Sequence, residues 1–259
     1  MPIPAPPSPP SPVSPRLVAH RGYARRFPEN TLLALREAVA AGARYLEFDV
    51  QLSADQVPVL LHDADLTRTG EAPGCVFDLS AAALGRRAVG EPARFGARFG
   101  DERVPTLAAV ATWLASVPTV TAFVEVKDES LRRFGIEAVH AAVWQALEPA
   151  RTQVVLIAYD DALLFAARLA APVRIGWILA AWDAAHERRA RVLAPDFLFI
   201  DQALLPATAL WTGPWEWVAY EAEDAEQAIA LGRRGIGLVE TMAIGELLAD
   251  ARLAGAGRA

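Results

Sequence analysis

Thiols are almost missing from this chain. A single cysteine, Cys75, among 259 residues excludes an intramolecular disulfide and a thiolate-clustered zinc site, and it points to a reducing compartment. No catalytic signature surrounds Cys75, so it reads either as a small buried thiol or as a nucleophile without a recognisable partner. Basic charge is not in excess either. With 25 Lys and Arg against 31 Asp and Glu, the net charge is −6 and the pI near 5.3. That balance argues against a broad nucleic-acid surface, although a local basic pocket for phosphate stays compatible with it. No run of 18 apolar residues occurs, so no transmembrane segment is expected. Residues 1–15 carry no charged side chain and eight of the 19 prolines. They lack the basic start and apolar stretch of a signal peptide, and a cytoplasmic location is the default expectation. This segment is expected to be a disordered, polyproline-prone tail, either inert or read by a partner for Pro-rich segments.

What is present suits a soluble enzyme of one domain over residues 16–259. The chain is 53% hydrophobic and 22% charged, enough to bury a large core, and its length is typical of an α/β barrel. From Arg16 onward, short apolar runs alternate with longer Ala-, Leu- and Arg-rich stretches. Strands are expected at 17–19, 45–50, 121–126, 153–158, 173–178, 196–200, 216–220 and 236–240. Eight strands with helices between them predict a (β/α)₈ TIM barrel. One intervening helix is expected from Thr31 to Ala41, with Leu32, Leu35 and Val39 on one stripe, Asn30 as its cap and Gly42 ending it.

One connection is out of proportion. An insertion at about 52–105 contains Val57-Pro58-Val59-Leu60-Leu61-His62 and the arginines Arg86, Arg87, Arg94 and Arg98. A loop this long is usually functional, so these arginines either contact an anionic substrate or form a solvated, mixed-charge surface.

Polar chemistry concentrates at the ends of the early strands. Glu47 and Asp49 alternate with Leu46, Phe48 and Val50, which puts both acids on one face with Cα atoms roughly 6.6 Å apart. One cation can bridge them; without it the charges repel and one pKa rises. A solvated strand face is the bland alternative. Glu125 and Lys127 share a face of a second strand, so a third carboxylate and an ammonium are available if the strands are neighbours. His20, Arg21 and His62 complete the set. His140 and His186 fall in helical stretches and read as bystanders.

The series Ala19-His20-Arg21-Gly22, Pro28-Glu29-Asn30-Thr31, Glu47-Phe48-Asp49-Val50, His62-Asp63, Leu66-Thr67-Arg68-Thr69, Val104-Pro105-Thr106-Leu107 and Glu125-Val126-Lys127 resembles the glycerophosphodiester phosphodiesterase family, in the family's order. The resemblance covers residues 17 to 127. It implies a TIM barrel with an insertion after the second strand, one divalent cation, and hydrolysis of a small-molecule glycerophosphodiester to glycerol 3-phosphate and an alcohol. Glu47, Asp49 and Glu125 are then the metal ligands, and their hard oxygens suit Mg²⁺, Ca²⁺ or Mn²⁺ better than zinc. Arg21 and Lys127 would bind the phosphate. His20 and His62 would be the general acid/base pair. Glu29 either reaches this site or serves the helix start.

Beyond residue 127 the pattern departs. The family usually has Trp followed by small and polar residues at the end of the seventh strand, and Thr-Asp after the eighth; here stand Trp217-Val218-Ala219-Tyr220-Glu221 and Val239-Glu240-Thr241. Trp217 is expected to keep the tryptophan's place. Two alternatives follow from this half of the chain. One is a lysophospholipase D- or sphingomyelinase D-like phosphodiesterase with a more apolar groove. The other is a non-enzymatic phosphate-binding barrel, which the retention of both histidines and all three acids disfavours. The order of steps is open between direct attack by water and a cyclic phosphate formed by the neighbouring glycerol hydroxyl.

Overall fold

The structure is a computed structural model that describes residues 14–254. Residues 1–13 of the Pro-rich segment lie outside the described residues. Eight parallel strands close into a barrel: β1 (Arg16–Ala19), β2 (Tyr45–Leu52), β4 (Thr121–Val126), β5 (Val154–Ala158), β6 (Arg174–Ile178), β7 (Phe197–Asp201), β8 (Glu216–Tyr220) and β9 (Leu238–Thr241). β1 pairs with both β9 and β2, which closes the sheet on itself. Each expected strand is found within two residues of its expected limits.

A ninth strand, β3 (Pro58–Leu60), was not among those expected. It lies outside the barrel and runs antiparallel to the end of β2, with Val50 opposite Leu60. β3 opens the long excursion between β2 and β4, which carries a small core of its own around Val59, Leu66, Val76, Leu84 and Val104.

Alternation along each strand separates two cores. Phe48, Val50, Leu156 and Leu198 point outward and pack against the surrounding helices. Val18, Tyr45, Phe123, Val155, Phe197, Val218 and Leu238 fill the barrel from inside, with Phe123 edge-on to both Phe197 and Phe199. Each such side chain contributes about 1.5–3 kcal/mol by its burial. Because the lower barrel is plugged by these apolar residues, the polar ones at the C-terminal strand ends share the open mouth.

Helix α1 (Leu32–Ala40) differs in detail from expectation. Its N-cap is Thr31, whose hydroxyl accepts the Ala34 N–H, rather than Asn30. Asn30 is instead held at φ 54° with its side chain in the site. Leu35 is fully buried together with Ala34 and Ala38, and Gly42, at φ 107°, follows the helix. Between β7 and β8 the described chain forms only a short 3₁₀ turn, Gln202–Leu204. Among the described residues no helix is long and apolar enough to cross a membrane.

Candidate active site

The site is assembled by register. β2 and β4 pair so that Asp49 stands opposite Glu125, and two residue pairs earlier Glu47 stands opposite Phe123. Inward alternation then brings Glu47, Asp49 and Glu125 together, each offering an oxygen within 4.8 Å of the others. His20 and Arg21 follow β1 directly. His62 arrives by the β2–β3 hairpin: the Leu61 N–H donates to the Asp49 carbonyl at 3.2 Å, and Gln51 Nε2 to the His62 carbonyl at 3.3 Å. Thus the insertion folds back along β2 and sets its histidine above the acids. His20, Arg21, His62, Glu125 and Lys127 line one cavity of about 100 Å³, whose opposite wall is Ile157, Ile178, Phe199, Tyr159 and Tyr220.

The charges are tightly interlocked. Lys127 Nζ donates to Glu125 Oε1 at 2.7 Å and lies 3.3 Å from Asp49 Oδ1. Arg21 donates its backbone N–H to Glu47 Oε2 at 3.0 Å and Nη1 to Glu29 Oε1 at 3.0 Å, and its Nε lies 3.3 Å from Asp49 Oδ2. Asn30 grips Asp49 twice, by Nδ2 to Oδ2 at 2.8 Å and by Oδ1 accepting the Asp49 N–H at 3.0 Å. Burial opposes the charge on Asp49, yet Lys127 and Arg21 outweigh it and hold the carboxyl well below the usual range. Glu47, buried and beside Asp49, is pushed the other way, well above its ordinary value. Burial is the larger cause, and the charges of Asp49, Glu240 and Glu125 add to it.

The donor set fits a hard divalent ion. Three carboxylates converge, no sulfur or ring nitrogen competes among them, and Glu47 Oε1 is buried without a hydrogen-bond partner. An ion there would partner that oxygen and relieve the mutual repulsion.

The two histidines differ in environment. Burial lowers the His20 pKa, but the hydrogen bond to Glu221 and the charge of Glu240 outweigh it and raise it overall. For His62, burial together with the Arg21 and Lys127 charges prevails over Asp49 and lowers it. His62 Nδ1 pairs with Asp63 Oδ1 at 2.6 Å, and Asp63 in turn accepts from Arg68 Nε at 2.7 Å. Arg68 also makes a forked pair with Glu29, at 2.7 and 2.8 Å. Glu29 therefore serves the site's arginines.

One reading, the place of Trp217, needs correction. Trp217 does not reach the cavity; it points outward and packs on Trp182 and Trp211, while Tyr220 occupies the rim and pairs with Tyr159, hydroxyl to hydroxyl, at 2.9 Å. None of Arg86, Arg87, Arg94 or Arg98 lines the cavity, and Arg94 instead pairs with the buried Glu91. Cys75 caps a 3₁₀ turn in the insertion, away from the site. His140 and His186 lie on outer helices. Two acids were not named as site residues, although both stand in the divergent segments. Glu221 bonds His20 Nδ1 at 2.6 Å, and Glu240, buried on β9, lines the cavity with an unpartnered Oε1 and a pKa pushed by burial up to about 7.

Comparison with known proteins decides the family. Residues 20–166, more than half of the chain, match the Glycerophosphoryl diester phosphodiesterase family. The chain belongs to that family. Human Glycerophosphodiester phosphodiesterase 1 is 38% identical over 111 residues, which cover 42% of this chain and 33% of the relative. A glycerophosphodiester phosphodiesterase of Caldanaerobacter subterraneus subsp. tengcongensis is 38% identical over 91 residues, 35% of this chain and 37% of the relative. The chain thus spans about a third of the length of these curated relatives. Among solved structures, a phosphodiesterase of Oleispira antarctica in complex with the product sn-glycerol-3-phosphate superposes with a TM-score of 0.80 at 25% identity, over 91% of this chain and 96% of that one. The glycerophosphodiester phosphodiesterase of Agrobacterium tumefaciens gives 0.73 at 23% identity, over 91% and 100%, a likeness of fold.

Proposed function

We propose that this site hydrolyses glycerophosphodiesters to glycerol 3-phosphate and an alcohol, with one divalent cation held by Glu47, Asp49 and Glu125. The observation that carries the reading is convergence: three oxygen donors within 4.8 Å, two cationic side chains and two imidazoles on the wall of one cavity, at the barrel's C-terminal mouth. Its chemistry matches the product bound by the Oleispira antarctica relative.

A phosphodiester repels nucleophiles by its own negative charge, so the site must offset that charge and manage protons. When bound, the Mg²⁺, Ca²⁺ or Mn²⁺ ion supplies neutralisation of the phosphoryl oxygens. Lys127, on the wall beside Glu125, presents a point charge to the phosphate, and Arg21 presents a guanidinium pre-positioned by Glu29 and Asp49. His20 and His62 divide the proton work: one withdraws a proton from the attacking hydroxyl while the other delivers one to the departing oxygen. Both keep Nδ1 on a carboxylate, which leaves Nε2 of each ring for the reaction. The recess of about 100 Å³ suits a phosphoryl group, and Tyr159 and Tyr220 on its wall would flank the ester arms.

The apolar wall of Ile157, Ile178 and Phe199 is the feature that favours a lysophospholipid diester as a second reading. Product analysis by mass spectrometry with glycerophosphocholine, glycerophosphoethanolamine and lysophosphatidylcholine separates the two. Glycerol 3-phosphate from the first two is the expected result. Lysophosphatidic acid or a cyclic phosphate from the third alone supports the second reading, and no turnover of any of them supports a phosphate-binding barrel. Asp49→Ala is expected to weaken Mn²⁺ binding in calorimetry, whereas His62→Ala leaves it within about threefold.

A further inference from the structure

The two histidines are anchored alike but from different sources. His62 Nδ1 meets Asp63, its neighbour in the chain, at 2.6 Å. His20 Nδ1 meets Glu221 Oε2, also at 2.6 Å, from 201 residues away. Glu221 stands directly after β8, in the segment where the chain departs from the family's pattern. With the Glu221 carboxylate as the acceptor of this contact, Nδ1 of His20 carries the proton. Nε2 is then the free nitrogen, 3.8 Å from Glu47 Oε2, on a half-buried ring that lines the cavity.

Glu221 is itself fixed in place. Its carbonyl accepts Gln202 Nε2 at 2.6 Å, from the turn after β7, and the next residue, Ala222, donates its N–H to the Glu240 carbonyl at 2.9 Å. The backbone at Glu221 is thereby tied to the turn after β7 and to β9, while its carboxylate holds a ring that follows β1. Such an anchor sets both the tautomer and the rotation of the imidazole.

We infer that Glu221 is a positioning residue for the diesterase reaction, holding His20 in its Nδ1–H tautomer with Nε2 turned to the substrate. It does for His20 what Asp63 does for His62. The inference rests on the diesterase reading for its kinetic consequence, but the tautomer can be read without any turnover.

The test uses the full chain with Mg²⁺ present. Glu221→Ala and Glu221→Gln are made in the native background and in His20→Ala, and kinetics on glycerophosphocholine are joined to ¹⁵N imidazole NMR at a pH where His20 is neutral. Glu221→Ala is expected to lower kcat by about 10–100-fold with KM within about threefold, a size common for groups that orient a reacting side chain. Glu221→Gln, which keeps an acceptor for Nδ1–H, is expected to recover most of that loss. In the His20→Ala background neither change should alter the rate by more than about twofold. The NMR spectrum should report a protonated Nδ1 on His20 in the native protein and a shift toward the Nε2–H form in Glu221→Ala. Equal losses in both backgrounds, a rise in KM at constant kcat, or an unchanged tautomer in Glu221→Ala would each overturn the inference. A native protein with no turnover in Mg²⁺, Ca²⁺ or Mn²⁺ would defeat the diesterase reading instead, and the tautomer would still decide the role of Glu221.

Discussion

His20 and His62 stand in one cavity with their pKa values displaced in opposite directions, the arrangement that lets two like groups take different roles. His20→Ala and His62→Ala are each expected to lower kcat on glycerophosphocholine by about 10²–10⁴. With a p-nitrophenyl diester the departing phenolate needs little protonation, so the histidine acting as acid should matter far less while the other stays essential. Losses below about threefold from both substitutions on glycerophosphocholine would end the two-histidine account.

Glu240 supplies a separate residue-scale test. Its folded pKa, raised by burial to about 7, exceeds the ordinary value of 4.5, so the folded state binds this proton more tightly than the unfolded chain. The resulting contribution to stability is complete below 4.5 and is lost as pH rises through about 7. In chelator-treated protein, Glu240→Gln should therefore become progressively more stabilising between pH 5 and pH 8, by up to about 3 kcal/mol. Thermal melts of both proteins across that range check this, and a pH-independent difference would contradict it. Glu221 and Glu240 were hard to read as site residues because their partners lie some two hundred positions away and only barrel closure makes them neighbours of His20. Glu47, Asp49, Glu125 and Lys127 were legible because strand alternation alone puts them on one face.

Elements carry the next set of constraints. The chain turns sharply between β1 and α1, where Gly22 sits at φ 80° with an added Cβ only 2.7 Å from the Ala34 carbonyl carbon. Gly22→Ala should therefore destabilise the protein by about 2–4 kcal/mol, since both the backbone conformation and the space refuse it. Urea unfolding measures this. The insertion is tied to the barrel through Arg68, which links Asp63 beside His62 to the buried Glu29 next to α1. Arg68 is partly exposed and Glu29 keeps Arg21, so Arg68→Ala is expected to cost about 1–3 kcal/mol. Amide exchange around residues 62–70 should accelerate in that variant; unchanged exchange would mean the insertion is held by its own small core. At this scale the sequence misplaced two features for physical reasons. Asn30 has the chemistry of a cap but is spent on Asp49, leaving the cap to Thr31. Trp217 lies on the outward phase of β8, and Tyr220, three residues on, lies on the inward one.

At the scale of the whole molecule, the barrel was legible because eight apolar runs recur with helical stretches between them, and closure follows once β1 pairs with both β2 and β9. The short antiparallel β3 escaped because three residues carry too little pattern. Closure is also what gives the site its function: it places acids from β2 and β4, histidines from β1 and the insertion, and the rim tyrosines around one recess. Cleavage of glycerophosphodiesters with a cation held by Glu47, Asp49 and Glu125 is the activity proposed for this assembly. It is tested most directly by following glycerophosphocholine with ³¹P NMR as the native protein is stripped with EDTA and then resupplied with Mg²⁺, Ca²⁺ or Mn²⁺. A glycerol 3-phosphate signal that is lost on chelation and returns with at least one of these ions is the expected result. Undiminished hydrolysis in EDTA, or an unreacted diester with every ion, would contradict it.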